Sequence, residues 1–101
     1  MNDVNPLKLI EAERSAFKAL GVVRIGLFGS ILSPDRFSPS SDVDVFVEFD
    51  PKQKSFDTFF GVYELLRKMF QHEIDLVTDV SLSPYIGPKI LEEVKYASLA
   101  S

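Results

Sequence analysis

The chain has 101 residues, 46% of them hydrophobic and 26% charged, with a formal net charge of −4 and no cysteine. This is the composition of an ordinary globular domain with one core. It excludes disulfides and thiolate metal sites. A wide nucleic-acid footprint would need a clustered Lys/Arg stripe, and a membrane span about 18 consecutive apolar residues; the sequence has neither. A small phosphorylated ligand held through a metal remains compatible with the acidic balance.

The start, Met1-Asn2-Asp3-Val4-Asn5-Pro6, lacks the basic-then-apolar order of a signal peptide, so a reducing cytoplasm is the expected location. Asn5-Pro6 reads as an N-cap with proline at the first helical position. Leu7, Ile10, Phe17 and Leu20 follow at helical spacing, and Gly21 supplies a stop. The β-branched run 22–28 is too short for a second helix and reads as a strand. Residues 30–41, with Pro34, Pro39 and five serines, form a loop with room for one helical turn. Asp42 to Phe49 is a second strand, and the polar break 50–54 follows it. Ser55 caps a helix running to about Gln71. Ile74 to Thr78 is a third strand, and Lys89 to Tyr96 a last short helix after Pro84 and Pro88. No repeat or linker interrupts residues 1–101, which read as one domain. The expected fold class is α/β (α+β), a small mixed sheet with helices packed on one face.

Two aspartates interrupt the apolar second strand, in Ser41-Asp42-Val43-Asp44-Val45-Phe46-Val47-Glu48. Unpaired carboxylates are costly to desolvate, and Asp is depleted from strands. Alternation puts Asp42 and Asp44 on one face with Phe46 and Glu48, about 7 Å apart along the strand. Val43, Val45, Val47 and Phe49 take the other face, suited to lie under helices. Ile74-Asp75-Leu76 repeats the pattern on the third strand. If the two strands are neighbours, three carboxylates meet on one face, and without a cation at least one tends to stay protonated. Oxygen donors that do not enclose an ion suit Mg²⁺, which takes further ligands from water and phosphates. Gly29-Ser30, at the end of the first strand, adds a close backbone approach and a hydroxyl donor for phosphate. A phosphate cradle beside a carboxylate metal site is equipment for phosphoryl or nucleotidyl transfer.

At these residues the chain resembles the minimal nucleotidyltransferases, small members of the DNA polymerase β-like superfamily. The likeness runs through "RIGLFGS", "SDVDVFVEF", "EIDLVTD" and the tail "LSPYIGPKILEEVKY". The resemblance implies a polymerase β palm-like fold in which Gly29 and Ser30 hold a nucleoside triphosphate. It implies that Asp42 and Asp44 bind Mg²⁺, and that Asp75 is a third catalytic carboxylate, ligating the metal or serving as base. It further implies an antitoxin that transfers AMP from ATP to a tyrosine of a HEPN-domain ribonuclease toxin. One departure stands out. Family members usually carry Arg-Ala-x-Gly after Gly-Ser, whereas this chain has Ile31-Leu32-Ser33-Pro34. That departure favours the alternative, a transferase fold that neutralises its partner by complex formation alone. Arg36 is a substitute or, more simply, a solvated loop residue.

His72 is the only histidine, so no zinc cluster is expected, and it reads as a helix-end residue. Arg24, Lys52 and Lys54 read as surface charges. The helix after Ser55 has an apolar arc of roughly 220°, about twice what packing on a sheet requires. Either neighbouring helices cover the surplus, or a strip around Phe60 is exposed for a partner chain or a second copy, making a homo-oligomer.

Overall fold

The computed structural model describes residues 5–81 and 87–100. Asn5 caps the first helix, its side-chain oxygen accepting from the Leu7 amide at 2.9 Å, with Pro6 in the first turn. The single helix expected here is two: α1 (Pro6–Ala12) and α2 (Arg14–Ala19) meet at Glu13, whose φ of −107° and ψ of 22° leave the helical region. The Arg14 guanidinium donates to the Glu11 carbonyl across this kink at 2.9 Å. Both halves still face the core, because Ile10 and Phe17 are fully buried. Gly21, with φ of +86°, ends α2 in the left-handed conformation that glycine tolerates best.

β1 (Val22–Phe28) then runs antiparallel to β2 (Val43–Phe49), and β2 runs parallel to β3 (Ile74–Thr78). The parallel step is bridged by α3 (Phe56–Phe70), whose ends are well marked. Ser55 and Thr58 form a reciprocal capping box, and Gln71 closes the helix at φ of +56°. Where the sequence suggests a last helix continuing to Tyr96, α4 (Gly87–Glu93) stops short. Lys95–Tyr96 instead forms a two-residue strand, β4, paired antiparallel with β1 at Leu27 and Gly26. Gly26 explains how the chain gets there. A Cβ at that position would lie 2.5 Å from Val94 Cγ1 and 2.6 Å from the Lys95 carbonyl oxygen. Pro84 and Tyr85, part of the tail that carries the family resemblance, lie outside the described residues.

The sheet order is β3-β2-β1-β4. Its principal face carries Ile25, Leu27, Val43, Val45 and Val47, all fully buried against Ile10 and Phe17 of α1 and α2 and Val62 and Leu66 of α3. The mixed sheet with helices is therefore as expected, but the helices are not confined to one face, because Ile90 of α4 packs on the other. On the opposite face Phe46 alternates with the valines, as its position in β2 requires, and is buried with Phe28 under Val94. α4 covers only part of this face. Among the described residues no helix is long and apolar enough to cross a membrane.

Candidate active site

The aspartates lie at one end of the second face, an end that no described helix covers. Strand register sets Phe28 of β1 opposite Asp44, and Asp44 opposite Asp75 of β3. Facing residues on adjacent strands are about 5 Å apart, so the two carboxyl groups are neighbours. Asp44 is half-buried, while Asp75 is exposed. Burial, followed by the charges of Asp75 and Asp42, pushes the Asp44 carboxyl up from its usual 3.8 to about 6. A half-buried carboxyl beside other acidic groups keeps its proton above the usual carboxylate range.

Gly29 follows β1 directly and opens a 3-10 turn over Gly29–Leu32, the helical turn for which the loop left room. Its φ of +79° lies in the left-handed region. A Cβ there would also overlap Asp44 Oδ2. Glycine is thus required twice, once by the backbone conformation and once by the carboxylate packed against it. Ser30, the next residue of the turn, is partly exposed. The turn and the two strand carboxylates form one continuous surface.

Asp42 is placed differently from the sequence reading. β2 begins at Val43, so Asp42 precedes the ladder and is exposed. It acts on Asp44 through its charge. Among the described residues no three acidic or imidazole side chains converge closely enough to hold one ion. Asp44 and Asp75 are brought together, and Asp42, one residue before β2, stands exposed at the rim.

The donor set still fits Mg²⁺. It consists of carboxylate oxygens, and no cationic side chain balances them: the ion pairs among the described residues are Lys8–Glu11 and Arg24–Glu48. A cation taking few protein ligands and completing its shell from water and phosphate would relieve this uncompensated charge. Arg36, the alternative to the missing arginine, hydrogen-bonds Ser33 Oγ of its own loop at 3.4 Å.

Two residues read as unremarkable prove to be positioned. His72 Nδ1 lies 2.8 Å from the Ser41 carbonyl oxygen, and its ring packs on Phe37 with centroids 4.7 Å apart. The loop entering Asp42 is clamped there, with Val43 N donating to the Glu73 carbonyl at 2.9 Å. Arg24 pairs with Glu48 at 2.8 Å and lies 4.7 Å from the Tyr96 ring centroid, on the aspartate face of the sheet. No local pattern announces either contact, since each joins residues at least 24 positions apart.

A mixed four-stranded sheet that sets a glycine turn against one of two aligned aspartates belongs to the nucleotidyltransferase class of folds. The chain matches the nucleotidyltransferase domain family over residues 8–97 and is a member of it. It is similar in fold to a chain assigned as a minimal nucleotidyltransferase, with TM-score 0.70 and 23% identity over 92% of this chain and 97% of that one. It also resembles the crystal structure of a toxin-antitoxin with AMP-PNP, with TM-score 0.63 and 19% identity over 87% of this chain and 72% of that one. No curated protein sequence matches the chain significantly.

Proposed function

We propose that this nucleotidyltransferase domain binds Mg²⁺ and ATP and works in the cytoplasm as an antitoxin. In this reading it transfers AMP to a tyrosine of a partner HEPN ribonuclease toxin. The observation that carries it is the Gly29 turn packed against Asp44 with Asp75 in register beside it. The similarity to a toxin-antitoxin with AMP-PNP supports the partner and the nucleotide.

The chemistry assigns each group a task. Backbone amides of the Gly29 turn and the Ser30 hydroxyl bind the triphosphate oxygens. Asp44 and Asp42 hold the cation, and Asp75 either joins them or accepts the proton of the attacking tyrosine. That tyrosine oxygen bonds to the α-phosphorus, the bond to the bridging oxygen breaks, and pyrophosphate leaves. When bound, Mg²⁺ supplies neutralisation of the charge that develops on the phosphates.

A second reading has its own observation. Ile31 and Pro34 stand where the resembled family carries arginine and glycine, and Arg36 is engaged with Ser33. A domain lacking that cation would neutralise its partner by binding alone. Incubating the protein with α-labelled ATP, Mg²⁺ and the partner toxin separates the two readings. Label should appear on the toxin, vanish in Asp44→Asn and fall strongly in Ser30→Ala. Asp75→Asn should lower turnover more than nucleotide affinity if Asp75 is the base. Neutralisation with no label on the toxin would establish binding alone.

A further inference from the structure

The outer face of α3 carries two exposed aromatic rings. Phe56 is 76% exposed and Phe60 44%. The rings of Phe56, Phe60 and Tyr63 stack in series, with centroids 5.8 and 6.2 Å apart. Phe60 and Tyr63 form one wall of an open groove of about 750 Å³, whose lining also includes Leu20, Glu64, Arg67 and Lys68. Leu20, at the end of α2, packs closely on Gly61 at the groove's edge, where a Cβ would stand 3.0 Å from Leu20 Cδ2.

We propose that this face joins two copies of the chain, their α3 helices packed antiparallel about a two-fold axis, with Phe60 of each copy in the other's groove. The charges of the helix set the register. Asp57 in its first turn faces Arg67 and Lys68 in the last turn of the other copy, and the two-fold axis makes that pair twice. In an antiparallel pair, three positions forward on one helix faces three positions back on the other. Phe60 of one copy therefore lies opposite residues 64 and 65 of the other, which line the groove. Antiparallel helix dipoles add to the attraction. Glu64 comes near its own copy at the axis, with Lys68 one turn along the same helix to balance it.

Sedimentation of the full chain over a range of concentrations tests this. The wild type should form a dimer by mass action, and Phe60→Ser should weaken it by at least about tenfold. Phe56→Ser, at the most exposed ring, provides a second variant that leaves the core untouched. Asp57→Lys makes the strip wholly basic, and Arg67→Glu with Lys68→Glu makes it wholly acidic. Each of these should be monomeric alone, and mixing them should restore a dimer containing one of each. A wild type that stays monomeric throughout overturns the proposal and leaves the face to a different protein. So does a dimer indifferent to Phe60→Ser, or a mixture that stays monomeric.

Discussion

Burial and neighbouring charge make Asp44 hold its proton more tightly in the folded chain than in the unfolded one, and this has a measurable consequence. Below about pH 4 the carboxyl is protonated whether folded or not. Between there and about 6 only the folded state keeps the proton, so stability falls as pH rises through that window. Because Asp44 is only partly buried, solvent screening reduces the effect to about 1 kcal/mol. Thermal melts of metal-free protein at pH 5 and pH 7.5 should show the loss, and Asp44→Asn should abolish the difference and melt higher at pH 7.5. Glu11 and Glu73, whose carboxyls are held below their usual range by hydrogen bonds, act in the opposite sense only at lower pH. An Asp44→Asn variant that unfolds would make the residue structural. Gly29 makes the companion case. Gly29→Ala should cost about 1–3 kcal/mol in denaturant titration, from an unfavourable φ combined with overlap on Asp44. A neutral substitution would show that the turn relaxes freely and does not brace the carboxylate.

At the scale of elements, β4 depends on the absence of a side chain in β1. Gly26→Ala should force β4 and Val94 away from β1, costing about 1–3 kcal/mol. Hydrogen exchange gives the sharper reading: the Ala97 amide, which donates to the Ile25 carbonyl at 2.9 Å, should lose protection selectively. Unchanged protection would mean that β4 is held by something other than this close approach. The same element shows where sequence patterning ends. β2 was legible because its face under α3 is wholly apolar, and a one-residue slip would bury Asp44 in the core. α3 was legible through its cap, its length and its period. A two-residue strand has no period, so β4 was hidden inside the tail of a helix. The kink at Glu13 was hidden too, because both halves of the helix keep their apolar face toward the core. Among site residues, Asp44 and Asp75 needed only the inference that β2 and β3 are neighbours. The contact of Gly29 with Asp44 and the His72 clamp on Ser41 are tertiary, and nothing local encodes them.

For the whole molecule, the sheet divides labour between its faces. One is sealed by α1, α2 and α3; the other is part covered by α4 and ends in unbalanced carboxylates. A fold that keeps such charge without a cationic side chain to neutralise it should gain stability from a cation and its phosphates. With Mg²⁺ and ATP together at roughly tenfold over Kd, unfolding free energy should rise by about 1.4 kcal/mol. Calorimetric titration of ATP into the protein, with and without Mg²⁺, tests the account most directly. ATP should bind wild type only when Mg²⁺ is present, and Asp44→Asn should remove that binding while keeping its fold. Binding that ignores Mg²⁺ and survives in Asp44→Asn would contradict the assignment of the site.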